Sequence, residues 1–224
     1  MIRLRWFGQS AFLVTGESAR VFVDPFGDMS AAAGGTLDWR YPPIEDVTAD
    51  LVLVTHDHRD HNAVDAIRGE PVVIATAGTH DSAVGSVVGI ASEHDAVAGT
   101  QRGPNTIFRF ELDGVSIAHF GDFGQPALRP EQREALRTVD VALFPAGGGP
   151  TTPVEQAASL LRELAPRVVV PMHYRTELIG FLDPVEPFLE SLGAPVERFG
   201  VDADLGPLLE RDSTVVALLD PPRG

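Results

Sequence analysis

Three features of the sequence predict a layered α/β or α+β architecture: short apolar runs recur along most of the chain, they come in two kinds, and helical periods are few. The runs are "IRLRWFG", "AFLVTG", "ARVFVDP", "LVLVTH", "PVVIAT", "NTIFRFEL", "VSIAHFGD", "VDVALFPAG", "RVVVPMH" and "STVVALLD". They are rich in Val, Ile, Leu and Phe and bounded by Gly, Pro, Asp or Asn, the composition and punctuation of β-strands. Runs that alternate suit a sheet with one wet face, and runs that are apolar throughout suit a sheet covered on both faces.

Among the helical patterns, "TTPVEQAASLLRELAPR" is the strongest. Thr152 is placed to cap, Pro153 to occupy the first helical position, and Val154, Ala157, Ala158, Leu161 and Leu164 to form one apolar stripe. Shorter helices are expected in "HNAVDAIRG", "RPEQREALRT" and "VEPFLESLG". Residues 27–43, "GDMSAAAGGTLDWRYPP", have no period and read as a long loop of the kind that borders sites. With no repeat and no linker-like shift in composition, residues 1–224 are expected to form a single domain.

Composition removes several classes of chemistry. The chain has 224 residues, 44% hydrophobic and 22% charged, and contains no Cys, so thiolate zinc sites and cysteine nucleophiles are excluded and a metal would need N and O ligands. No Lys is present either, which excludes Schiff-base chemistry. A formal net charge of −15 argues against a nucleic-acid partner. The N-terminal "MIRLRWFGQSAFLV" alternates charged and apolar residues instead of forming a signal-peptide core, and no run approaches a membrane span, so a cytoplasmic protein without a membrane partner is expected.

The stretch "LVLVTHDHRDHN", residues 51–62, carries the chemistry. His56 and His58 follow a strand, and residues two apart in an extended chain project to one side, so both imidazoles reach one point. Asp60 and His61 lie where the chain turns, which aims them at a neighbouring point, as two adjacent metals require. With 7 His in 224 residues, three at these spacings arise by accident with a probability on the order of 1%. The plainer reading is a polar loop with Asp60 or Asn62 as a helix cap. Further ligand candidates stand at other strand ends: His94 after "VVGIAS", Asp122 closing "VSIAHFGD" and His173 closing "RVVVPMH". Their alternatives are a surface loop, a turn and a core histidine. His80 reads as an exposed loop residue, and His119 as a hydrogen-bonding neighbour of the site. Asp57 is expected to anchor the loop.

The set "THDHRDH", "EHD", "HFGDFG" and "PMHY" resembles the metallo-β-lactamase superfamily, with "VFVDPF" similar to its first motif, a structural Asp, here Asp24. Within it, "RGPNTIFRFELDGVSIAHFGDFG" and "VVVPMHYRT" are closest to the metal-dependent hydrolase branch that includes L-ascorbate-6-phosphate lactonase. The resemblance implies an α+β fold, the four-layer αββα sandwich, and two divalent metal ions, zinc foremost, with manganese and iron as alternatives. His56, His58 and His94 would bind the first metal, Asp60, His61 and His173 the second, and Asp122 would bridge them. It implies a hydrolase in which a metal-bound hydroxide attacks a small-molecule ester, lactone or phosphodiester, with Asp60 and Asp122 the catalytic carboxylates, and it implies no true β-lactamase. One departure is "WFGQS", where related sequences often carry His in place of Gln9; Gln9 is expected to hydrogen-bond near the site.

For an anionic substrate the candidates are the backbone at Gly148 and Gly149, ahead of the helix, together with Arg175 for charge and Tyr174 as an oxyanion donor or a packing residue. Two other classes stay open: an iron-dependent redox enzyme on the same fold, and a catalytically silent metal-binding regulator. A homo-oligomer is compatible with each.

Overall fold

The computed structural model describes residues 1–30 and 35–223; residues 31–34 of the loop expected at 27–43 lie outside the described residues. The strands, in chain order, are β1 Arg3–Gly8, β2 Ala11–Thr15, β3 Arg20–Val23, β4 Leu51–Leu53, β5 Val72–Ile74, β6 Gly78–Ser82, β7 Gly85–Glu93, β8 Pro104–Leu112, β9 Val115–His119, β10 Val141–Pro145, β11 Val168–Met172, β12 Val196–Phe199, β13 Asp202–Asp204 and β14 Val215–Leu219. The helices are α1 Pro130–Leu136, α2 Val154–Leu164, α3 Glu186–Leu192 and α4 Gly206–Leu209. The strands form two sheets, ordered β13-β1-β2-β3-β4-β5 and β12-β14-β11-β10-β9-β8-β7-β6.

Period two builds the sandwich. In the first sheet Leu4, Trp6, Phe12, Val14, Val21, Val23, Leu51 and Leu53 enter the main core, where they join Phe108, Phe110, Ile117 and Phe144 of the second sheet. The intervening Ala11, Phe22 and Val52 turn to the opposite face and pack with Phe26, Tyr41, Ile44, Ile67 and Ile179. Strands β10, β11 and β14 are buried at every residue, as a sheet covered on both faces requires, with α2 and α3 packed together. The result is the αββα sandwich. The layer over Phe22 and Val52 is thinner than the sequence suggests. "HNAVDAIRG" forms only a 3₁₀ turn at Val64–Ala66, because buried side chains are lacking on it and Ile67 returns to extended backbone.

The other differences are local. Thr152 does not cap α2: Pro153 is the N-cap, and the Thr152 hydroxyl donates to the Phe123 and Gln125 carbonyls at 2.9 and 3.1 Å, tying the helix start to the 121–125 loop. Strands β6, β12 and β13 and helix α4 are not signalled by the sequence, being short and polar or half-exposed; pairing with neighbours defines the strands. "VVGIAS" proves to be the centre of the nine-residue β7.

Strand direction places the site. β1 and β3 both run antiparallel to β2, and β4 runs parallel to β3, so these three share a direction. β9, β10 and β11 are mutually parallel, and β7, two antiparallel steps from β9, points the same way. Their C-terminal ends deliver Gln9, Asp24, residues 55–62, His94, Asp122 and His173 to one edge. Two backbone bonds tie the sheets there, Thr106 N–H to the Thr55 carbonyl at 2.8 Å and His173 N–H to the Gln9 carbonyl at 3.1 Å.

Gly124 allows the loop bearing Asp122 to lie against the backbone of His94, since a Cβ there would stand 2.5 Å from His94 C and from Asp95 N. Gly124→Ala is therefore expected to cost about 1–3 kcal/mol, as overpacking does, and to displace His94. Urea unfolding with metal titration checks this, and wild-type values in both would refute the close-approach argument.

Candidate metal centre

Asp24 organises the centre. It ends β3 with a left-handed backbone (φ 52°), is fully buried, and accepts Thr55 N–H at 2.8 Å, the Thr55 hydroxyl at 2.7 Å and His61 Nδ1–H at 2.9 Å. Burial alone would raise its pKa, but His61 at contact distance holds it below the ordinary carboxylate range. Because the Thr55 proton is committed to Asp24, Thr55 Oγ1 accepts from His56 Nδ1, 2.9 Å away. The His56 tautomer is thereby set, with Nδ1 protonated, and both rings are oriented with Nδ1–H on these partners and Nε2 turned inward.

The predicted ligands converge. His56 Nε2 lies 3.0 Å from His58 Nδ1, and the ligand atoms of His56, His58 and His94 fall within 4.8 Å of one another, as do those of His56, His61 and Asp122. Asp122 Oδ2 is central, 3.0 Å from His173 Nε2, 3.1 Å from His94 Nε2 and 3.4 Å from His61 Nε2; Asp60 Oδ2 is 3.5 Å from the same His61 nitrogen. His61 Nε2 is buried and aligned for no hydrogen bond.

Burial, reinforced by His61, pushes His56 down to about 3, so it is neutral at pH 7. Burial also lowers His58. For His61 burial opposes charge, yet Asp122, Asp60 and Asp24 together raise it well above 6.5. Asp122 and Asp60 are both held low, burial being outweighed by His173 and His61 for the first and chiefly by His61 for the second.

His119 lies outside this cluster. Its Nδ1 accepts Gly121 N–H at 3.1 Å and its Nε2–H donates to the Ser10 carbonyl at 2.9 Å, while Ser10 Oγ donates to Asp122 Oδ1 at 3.3 Å. It supports the segment that holds Asp122. Gln9 donates Nε2–H to Asp60 Oδ2 at 3.2 Å. Asp57 anchors the loop by accepting from Asn62. His80 is a half-buried residue of β6, bonded to the Thr76 carbonyl, instead of an exposed loop residue.

Tyr174 is a packing residue. Its ring sits 5.3 Å from Trp6 and its hydroxyl donates to the Leu219 carbonyl, so it is no oxyanion donor. Arg175 is exposed and has no ion-pair partner among the described residues, and Gly148 and Gly149 both adopt left-handed backbone (φ 51° and 53°) after β10. Sequence reasoning did not single out Ser10, Thr55 or Asn105. Asn105 Oδ1 accepts Asp122 N–H at 3.1 Å and its Nδ2 donates to Ser92 Oγ and the Phe120 carbonyl. Thr55 alone had a signal, its position directly before His56.

A buried histidine and carboxylate cluster at one edge of an αββα sandwich defines a metal-dependent hydrolase, and comparison with known proteins agrees. Over residues 3–173 the chain matches the family described as Beta-lactamase superfamily domain, and it belongs to that family. It is 33% identical to a UPF0173 metal-dependent hydrolase of Thermococcus kodakarensis over 205 residues, covering 79% of this chain and 86% of that protein. A second such protein, from Thermococcus onnurineus, is 33% identical over 224 residues, covering 88% and 95%. The crystal structure of a candidate Zn-dependent hydrolase of the metallo-β-lactamase superfamily from Thermotoga maritima superposes with a TM-score of 0.77 at 29% identity, covering 98% of this chain and 100% of that one.

A metal taken by His61 Nε2 would displace a proton favoured there by Asp122, Asp60 and Asp24, which outweigh burial and raise the ring well above 6.5, whereas His56, lowered to about 3 by burial, has none to lose. Calorimetry of Zn²⁺ binding at pH 7 in buffers of different ionisation enthalpy should show proton release. Heats independent of buffer would contradict the charged His61.

Proposed function

We propose that the protein hydrolyses a small-molecule ester, lactone or phosphodiester at a dinuclear centre, in the manner of the lactonase-like branch. The observation that carries this reading is the position of Asp122 Oδ2, within 3.0–3.4 Å of imidazoles delivered by three separate segments. The donor set fits two metals. Inward lone pairs on neutral His56 and a buried His61 Nε2 without a hydrogen bond are what a cation would satisfy, and an all-N/O set suits zinc, manganese or iron. In this assignment His56, His58 and His94 hold one metal, Asp60, His61 and His173 the other, and Asp122 is shared. Bound there, divalent metals supply Lewis acidity, bringing the pKa of water from about 15.7 toward about 7 and polarising a carbonyl or phosphoryl oxygen.

The protein's own groups supply placement. Asp24 and Thr55 set the orientation of His61 and the tautomer of His56, and Ser10 and Asn105 fix the Asp122 segment. Arg175, exposed and unpaired two residues beyond His173, is assigned to attraction of an anionic substrate group, and Gly148 and Gly149 to its backbone contacts. The net charge of −15 and the absence of Lys favour small substrates over nucleic acid.

His58 is half-buried and bonded only to His56, so His58→Ala should leave the fold intact while lowering bound metal. Activity on lactone or phosphodiester reporters should fall with it by at least about 10-fold. Elemental analysis with circular dichroism checks this, and a variant that keeps both metals would refute the division of ligands. Cleavage of nucleic acid but not of these reporters would refute the substrate class.

A further inference from the structure

Gln9 combines features that simple packing does not explain. Its backbone is left-handed (φ 52°), a conformation a Gln side chain rarely adopts, and is pinned because its carbonyl accepts both Trp6 Nε1–H and His173 N–H at 3.1 Å. The residue is 0% exposed, and its side chain reaches Asp60 across 51 residues of sequence. An ionised carboxylate only accepts, so the amide must present Nε2–H to Asp60, which fixes the orientation of the other amide atom. That atom, Oε1, is buried with no hydrogen-bond partner among the described residues. A buried acceptor left in this condition disfavours the fold, and such atoms are ordinarily met by an ordered water or by function.

We propose that Gln9 is a positioning residue of the centre: its Nε2–H holds the Asp60 carboxylate in its ligating orientation. The proposal rests on the reading of Asp60 as a metal ligand. The unsatisfied Oε1 is the cost of holding the amide in that orientation. The left-handed backbone then has a use. The same Gln9 carbonyl that ties β1 to His173 sets the amide against Asp60, so two ligands of one metal are positioned by a single residue from the β1–β2 turn.

The test uses Gln9→Met, which keeps the length of the side chain and removes donor and acceptor, and Gln9→His, which restores a donor and an acceptor in one ring. Three quantities are measured on the full-length protein: melting temperature without metal, Zn²⁺ affinity by competition with a chromophoric chelator, and kcat and KM on a reporter turned over by the wild type. The expected result for Gln9→Met is an unchanged or higher metal-free melting temperature, Zn²⁺ affinity weakened about 10–100-fold as for other residues that orient ligands, and a lower kcat with KM unchanged. Gln9→His should recover part of the loss. Wild-type Zn²⁺ affinity in Gln9→Met would overturn the proposal, as would a loss of affinity that merely follows a loss of metal-free stability. An effect confined to KM would instead make Gln9 a substrate contact and overturn the positioning role. Should the wild type turn over no reporter, the hydrolase reading fails while affinity and melting temperature still decide the role of Gln9.

Discussion

Asp24 has to keep its charge where no water reaches it, and the surrounding structure is arranged to make that tolerable. An isolated buried carboxylate would neutralise instead of staying ionised. Here three donors from the 55–61 segment meet it, Thr55 through both backbone and hydroxyl and His61 through Nδ1. Because the same bonds fix the direction of the His56 and His61 rings, the requirement to satisfy one carboxylate also determines where two inward imidazole nitrogens point. Removing Asp24 would therefore affect the loop, two ring orientations and the charge balance of the cluster together.

Left-handed backbone recurs at this edge, at Gln9, Asp24 and His173, each immediately past a strand of the shared direction. Such conformations cost roughly 1–3 kcal/mol each and persist only where their surroundings over-determine them. Buried strands supply that rigidity: β3 and β4 alternate between two apolar clusters and cannot shift register without exposing both sets, and β11 is buried at every residue. The core thus stabilises a geometry that local preference would not select, and at this edge the strain sits at the ends of strands, where the chain must change direction abruptly to aim a side chain.

What could be read in advance followed from short-range physics. His56 and His58 share a direction because alternation is a property of any extended chain, and His94 and His173 were recognisable because each ends an apolar run. Strands buried on both faces, such as β10 and β11, announce themselves by composition. Strands β6 and β13 do not, because "GTHDS" and "DAD" become strands only by pairing with β7 and β1. Ser10 and Asn105 were equally silent, since their partner Asp122 lies 112 and 17 residues away and nothing local marks the contact. Tyr174 was misleading for a related reason: adjacency to His173 in sequence suggested the cleft, but the left-handed turn at His173 sends the next side chain into the core against Trp6.

The two backbone bonds between the sheets, Thr106 to Thr55 and His173 to Gln9, lie at the edge that carries the ligands. Slippage of one β-layer across the other must rupture them, so that edge behaves as a riveted seam. The opposite rim is closed differently, by the Asp113 side chain accepting from Glu17 N–H and from the Ser18 hydroxyl. Side-chain replacement can therefore loosen that rim, whereas the seam beside the histidine cluster, made of main-chain groups, survives any substitution that keeps the backbone path.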